Sequence, residues 1–468
     1  MRLAWFSPMP PVATGIARCS ADLVARLQGD HAIDVFVDAA NLPASVSFVN
    51  GASPAPVRRS GQWPELQSAH DFVWRHRKQP YDLIVYQIGN SSHHDYQWPY
   101  IFRYPGLAVL HDAHLHHARA SCLLRTHRAD DYRREFSANH PEANPDLAEL
   151  AVAGFDSHLH YAWPMNRLVV ERSRRAAVHT NVMAERLRAE SPGAHVDVIR
   201  LGHGVALPEA AARALGNETR TRLGIPADAI VFGCYGGLTP DKRVPQILAA
   251  FAATRAYAPG AHLLLAGALA KHYDVAADVR LLGLESCSTI TGYLESDEAL
   301  TGAIAACDIA LNLRWPTARE MSGPWLRCLA AGKPTITMDL TQAADVPSID
   351  PRTWLPNHPE ARPACTVAID IVDEDHSLGL AMRRLATDAD QRARLGTAAR
   401  HYWIQNHSVG VMVDDYRALL DRARSSSPMT PPDSLPSHLL DAGAGTLRDV
   451  VDQLGVPLPF EVDFDHTR

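Results

Sequence analysis

The chain has 468 residues, of which 46% are hydrophobic and 21% charged, with a net charge of −7. This length exceeds one compact core and suits two or three domains. The negative balance excludes general nucleic-acid binding, and no apolar run approaches the roughly 20 residues that cross a bilayer. The opening Met1-Arg2-Leu3-Ala4-Trp5-Phe6 lacks the apolar segment of a signal peptide and reads as a first strand. The seven cysteines are scattered without a Cys-x-x-Cys pair. Buried thiols in a reducing cytosol are therefore expected, rather than a disulfide framework or a zinc site.

In the first half, short apolar strands are expected at Leu3–Phe6, Ile33–Val37, Leu83–Tyr86, Leu107–Leu110, Ala176–His179 and Val196–Ile199. Between the first two, Ser7 to Gly15 forms a loop. Gly15 opens a helix whose Ile16, Cys19, Leu23, Val24 and Leu27 fall at helical spacing. At Gly15 backbone could pack against a ligand. After the third strand comes the polar Gln87-Ile88-Gly89-Asn90-Ser91-Ser92-His93-His94-Asp95, at the same sheet edge. His111 and Asp112 follow the fourth, and His114, His116 and His117 continue the run. Adjacent residues of an extended segment point to opposite faces, so substrate contact by a strand-end His111 is preferred over a metal site. Arg119–Arg134 carries five arginines diluted by Asp130, Asp131 and Glu135. A solvated face is preferred there, and a peripheral contact with an anionic membrane is the alternative.

The strand-helix pattern restarts near Ala227, after a junction around Leu201–Arg220. Ile230–Tyr235 is followed by Gly236-Gly237-Leu238-Thr239-Pro240-Asp241-Lys242-Arg243. Glycines admit a ligand close to the backbone, and Lys242 with Arg243 can neutralise a diphosphate. The Gly-Lys-Ser/Thr ending of a Walker loop is absent. Further strands are expected at His262–Ala266, Arg280–Leu282, Thr289–Thr291, Ile309–Leu313, Thr335–Met338 and Thr366–Ile369. The fourth of these leads through Arg314 to Glu320-Met321-Ser322-Gly323, where a helix opens that stops at Gly332 before Pro334. A helix start holds phosphate well. A carboxylate in the same turn does not, so Glu320 reads as a partner for sugar hydroxyls, and the pair of features describes a sugar nucleotide.

These alternations predict an α/β chain of two doubly wound, Rossmann-like domains facing each other across a cleft. The expected domains are 1–205 on the acceptor side and 206–405 for the nucleotide sugar. A helix over 406–424 then crosses back, and a Ser/Pro linker and tail fill 425–468. Thr446–Leu454 is expected to add a helix to that tail.

Together the motifs resemble the retaining glycosyltransferases of family four, which have the GT-B fold. The resemblance covers about residues 1–422. It rests on the Gly15 loop, Leu110-His111-Asp112, Gly236 to Lys242, Thr291-Gly292-Tyr293, Asp308, and Glu320 to Pro334. It implies that Lys242 binds the donor diphosphate, with Arg243 or Arg314 assisting because Leu238 stands where relatives have an arginine. It further implies that Glu320 binds hydroxyls of the transferred sugar and that the backbone of Met321, Ser322 and Gly323 holds the phosphates. His111 would contact the sugar near the reaction centre, and Gly15, Asn90 and Gly237 would line the ligand. Family members have a second glutamate eight positions after the first, on the ribose; here that position is Cys328. No metal or cofactor is expected, since a nucleoside-diphosphate sugar is itself the donor. The acceptor is not legible. Alternatives are an epimerase or hydrolase of the same architecture, or a non-catalytic sugar-nucleotide binder.

Overall fold

Strands of consecutive apolar residues are satisfied only in a sheet covered by helices on both faces. The computed structural model has two such sheets, each of seven strands. It describes residues 1–42, 64–155, 159–340, 343–357, 363–428, 430, 434–440 and 454. Two compact units divide the chain. One comprises Met1–Ile199, Ala318–Glu320 and Val413–Arg468, and the other Arg200–Thr317 and Met321–Met412.

The first sheet contains β1 (Arg2–Phe6), β2 (Ala32–Val37), β3 (Leu66–Ser68), β4 (Leu83–Ile88), β5 (Leu107–Leu110), β6 (Arg175–Val178) and β7 (Val196–Val198). All pairs are parallel, in the order β3-β2-β1-β4-β5-β6-β7. The order reverses between β1 and β4, so the loops after those strands open the crevice where such sheets take ligands. Beneath the sheet, Phe6 stacks on Phe36 at 5.1 Å and meets Phe72 edge-on at 5.1 Å. All three rings are fully buried, which contributes about 1.5–3 kcal/mol each.

The second sheet repeats the plan with β8 (Val231–Tyr235), β9 (His262–Ala266), β10 (Ser288–Gly292), β11 (Ile309–Asn312), β12 (Thr335–Met338), β13 (Ser348–Ile349) and β14 (Thr366–Ile369). Its order is β10-β9-β8-β11-β12-β14-β13, and the reversal falls between β8 and β11. Every residue of β8 and β9 is buried. Asp308 fastens the start of β11 to β8, accepting from the Val231 amide and the Arg220 guanidinium at 2.8 Å each.

Three expectations need correction. Arg280–Leu282 is not a strand: Arg280 and Leu281 end the helix Val275–Leu281, and Leu282 is its C-cap. Two edge strands, β3 and β13, were not anticipated. The basic stretch Arg119–Arg134, expected as a solvated face, is divided between two helices, His116–Arg125 and Ala129–Asn139, and its Arg119 is buried. Four of its five arginines are in ion pairs, and Arg125 Nε donates to the Ser121 carbonyl at 3.1 Å. Arg119 is buried against Glu135, Arg128 and Arg134 meet Asp131, and Arg133 meets Asp130 and Glu149.

The last long helix, Val409–Ser425, runs into the expected Ser/Pro linker. Beyond it a short turn, Ser437–Leu439, returns to the first unit. Leu439 is buried in that unit's core, and His438 Nε2 lies 2.8 Å from Glu135 Oε1. The helix expected at Thr446–Leu454 lies outside the described residues, apart from Leu454. Among the described residues, no helix is long and apolar enough to cross a membrane.

Candidate active site

In the second unit, the loops after the two switch-point strands carry Lys242, Arg314, Met321, Ser322 and Gly323. The chain turns at Gly236 with φ +97°, a conformation that favours glycine. A Cβ there would collide with the Lys242 ammonium and lie 3.8 Å from Pro324 Cγ. Lys242 Nζ donates to the Tyr235 carbonyl at 2.9 Å. The lysine thus folds back over the end of β8, beside the start of the helix Gly323–Ala330. The loop after β11 is tied to the same place: the Trp315 amide donates to the Asp241 carbonyl at 2.7 Å, and Arg314 Nη2 lies 3.5 Å from Asp241 Oδ2.

Ser322 caps that helix, its hydroxyl accepting from the Trp325 amide at 3.3 Å. The Leu326 amide bonds to the Ser322 carbonyl at 3.1 Å, and Pro324 has no amide proton. The Gly323 amide is the first-turn donor that the cap does not use. Gly323, Ser322 and Met321 are half-buried, as is Glu320. Glu320 precedes Gly323 by three positions, and its short stretch Ala318–Glu320 groups with the first unit.

In the first unit, Thr14 caps the helix Gly15–Leu27, its hydroxyl accepting from the Ala17 amide at 3.1 Å. A Cβ at Gly15 would meet no atom within 4 Å. Asn90 donates its amide to Asp112 Oδ2 at 2.6 Å, and its side-chain oxygen accepts from the Ala118 amide at 2.9 Å. It therefore caps the helix His116–Arg125 from outside, where the local cap residue, Leu115, has no oxygen to offer. His111 is 8% exposed and packs on His179, with ring centroids 4.8 Å apart. Burial holds its pKa well below the usual 6.5. The other histidines of the run diverge. The His116 nitrogens go to the Trp163 carbonyl and the Tyr132 hydroxyl, each at 2.7 Å, and His114 is fully buried. Among the described residues, no group of three or more His, Cys, Asp or Glu is placed to hold a metal ion.

Residues 229–360, across the loops just described, match the family model described as Glycosyl transferases group 1. The chain is a glycosyltransferase. The fold agrees. Sucrose-phosphate synthase from Thermosynechococcus elongatus superposes with a TM-score of 0.59 at 16% identity, over 90% of this chain and 98% of that one. Anabaena HepE in complex with UDP-glucose gives 0.58 at 15%, over 90% and 100%. The catalytic domain of starch synthase IV from Arabidopsis thaliana, bound to ADP and acarbose, gives 0.57 at 15%, over 91% and 99%. At such identities the likeness is one of GT-B architecture. No curated protein sequence matches.

Two expected site residues of this glycosyltransferase lie elsewhere than the sequence implied. Arg243, expected beside the diphosphate, has its guanidinium on Glu374 through Nε at 2.7 Å and through Nη2. That pair raises its pKa and fixes the loop to the helix Glu374–Thr387. Cys328, expected at a ribose position, is completely buried in an apolar cluster with Tyr235, Cys307 and Ala310. Burial pushes its thiol pKa well up. The neighbouring Arg327 points another way, to His203 Nε2 and Asp297 Oδ1 at 2.9 Å each. Leu238, read as replacing an arginine, is a core residue with no exposure. Gly237 beside it is half-buried, and a Cβ there would meet only Thr239 Cγ2, at 3.9 Å.

Three contacts were not anticipated: Asp241, which ties the two loops, and Gln87 and His179, whose side chains lie against the His111 ring nitrogens. A polar residue ending a parallel strand was the available signal for the last two.

Proposed function

We propose that this glycosyltransferase moves a sugar from a nucleoside diphosphate to an acceptor hydroxyl, with retention of anomeric configuration, as in family four. The supporting observation is the convergence, within one unit, of the Lys242 ammonium, the Gly236 turn and the start of the helix Gly323–Ala330. A cation beside a helix N-terminus stabilises a diphosphate, more so as it leaves with full charge. The amides around Gly323 hold phosphate oxygens, and Arg314 adds charge at the rim. Glu320, just upstream, accepts from sugar hydroxyls. His111 and Gly15 serve the sugar and phosphate sides of the first unit. Attack and departure take place on one face, and the leaving diphosphate takes the acceptor proton. The protein then supplies charge stabilisation and alignment, with no cofactor beyond the donor itself.

Calorimetry with UDP, ADP and GDP, followed by turnover of the matching sugars, tests this reading. Lys242→Ala should weaken diphosphate binding and lower kcat about 100-fold to 1000-fold. Glu320→Ala should spare diphosphate binding and remove turnover of the sugar nucleotide. Full activity in both variants, or a product of inverted anomeric configuration, rejects it.

A further inference from the structure

His111 is gripped by a chain of polar groups. Its Nδ1 faces His179 Nε2 at 3.1 Å, and His179 Nδ1 faces the Ile199 carbonyl at 2.8 Å. On the other side, His111 Nε2 lies 2.7 Å from Gln87 Oε1, and the Tyr416 hydroxyl donates to the same oxygen at 3.1 Å. Gln87 is itself fixed. Its main-chain carbonyl accepts from Gln97 Nε2 at 2.9 Å and faces His94 Nδ1 at 2.9 Å.

Counting protons assigns the tautomers. A carbonyl only accepts, so His179 Nδ1 carries a proton. A neutral His179 then has a bare Nε2, which requires the proton of the next bond to sit on His111 Nδ1. A neutral His111 has a bare Nε2, which needs a donor, and the carboxamide nitrogen of Gln87 supplies one when the nitrogen and oxygen exchange places, an assignment that the hydrogen-bond count decides. An oxygen in that place would require three protons on four ring nitrogens, a cation buried among apolar strands. It would also leave the Gln87 nitrogen buried with no hydrogen-bond partner. With the nitrogen turned toward His111, its two N–H groups meet His111 Nε2 and the Tyr416 oxygen, which then accepts instead of donating, and the oxygen takes the unpartnered place, where a carbonyl is better tolerated than an N–H. Burial lowers the pKa of both rings, His179 to about 4, in keeping with the neutral count. The other titratable groups packed around them are His94, held to about 4, Tyr416, and Asp112 next in the chain.

We propose that Gln87 and His179 are positioning residues that fix His111 as its Nδ1–H tautomer, in one ring orientation, with Nε2 an acceptor. This rests on the reading of His111 as a sugar contact. With both nitrogens bound within the protein, the substrate meets a ring fixed in place rather than a free nitrogen.

The test is the nitrogen-15 spectrum of histidine-labelled protein, with His111 assigned through His111→Gln. A protonated Nδ1 and a bare Nε2 are expected at pH 7. Gln87→Glu keeps the shape but only accepts, so it should draw a second proton onto His111. It should also lower kcat about 10-fold to 100-fold with donor KM little changed. Wild-type His111 protonated at Nε2, or an unchanged spectrum in Gln87→Glu, overturns the proposal. The wild-type spectrum needs no variant and no nucleotide. A misfolded variant therefore leaves the test intact, and failure of the donor site would appear in Lys242→Ala instead.

Discussion

Lys242 owes its place to the glycine beneath it. With φ +97°, Gly236 lets the ammonium lie over the strand end, where a Cβ would displace it. Gly236→Ala should therefore reduce diphosphate affinity as Lys242→Ala does, at some further cost in stability. Gly237 is a different case. It has room on its side-chain face, whereas Leu238 is sealed in the core. Gly237→Arg should place a guanidinium near the lysine and tighten diphosphate binding several-fold, about 1 kcal/mol for one added charge-assisted contact. Unchanged affinity by calorimetry would show that the arginine points elsewhere. The lysine loop and the Glu320 turn were legible because glycine, charge and a strand end coincide within a few residues. The pairing of Arg243 with Glu374 was not, because the two residues are 131 positions apart. The burial of Cys328 was hidden as well, since a motif fixes spacing along a helix but not which face packs inward.

At the level of elements, the periodic signals held for the central strands and failed at the margins. The apolar stretch around Leu281 looked like a strand. It is a helix because Asp274 caps it, accepting from the Ala277 amide at 3.0 Å, while Val275 and Val279 one turn apart are buried. Leu281 is 84% exposed, an apolar residue that packs on nothing. The missed strands β3 and β13 are edges, bonded on one side only, and need little apolar content. Asn90, a polar loop residue read as a ligand contact, also works as a cap through its side-chain oxygen. Asn90→Ala should cost about 1 kcal/mol by urea unfolding, with Asn90→Asp close to neutral. Loss of sugar-nucleotide binding without loss of stability would instead support the ligand role.

Over the whole molecule, two doubly wound sheets were legible from the alternation of strands and helices. The strand orders that place the lysine and glutamate loops at neighbouring strand ends were not. The many buried histidines give the protein a pH signature. Burial depresses His94, His140 and His179 to about 4, His114 to about 3 and His116 to about 2, from 6.5. In each case the unfolded chain protonates first. Stability is full above about pH 6.5 and is lost as the pH falls toward those folded values, each unit of depression corresponding to about 1.4 kcal/mol. The melting temperature should thus drop steadily between pH 7 and pH 5. A flat profile would mean that these rings accept protons without unfolding.

The docked turn Ser437–Leu439 bears on how the protein can be handled. Leu439 plugs an apolar site, and His438 caps the carboxylate that Arg119 neutralises. Trimming the chain after Ser425, a natural choice from its Ser/Pro composition, would uncork that site and leave Glu135 one partner short. The shortened protein should melt earlier and bind a hydrophobic dye such as ANS, about 1.5–3 kcal/mol being lost with the leucine alone. The segment that looks most dispensable in the amino-acid string is thus a stopper for the first unit.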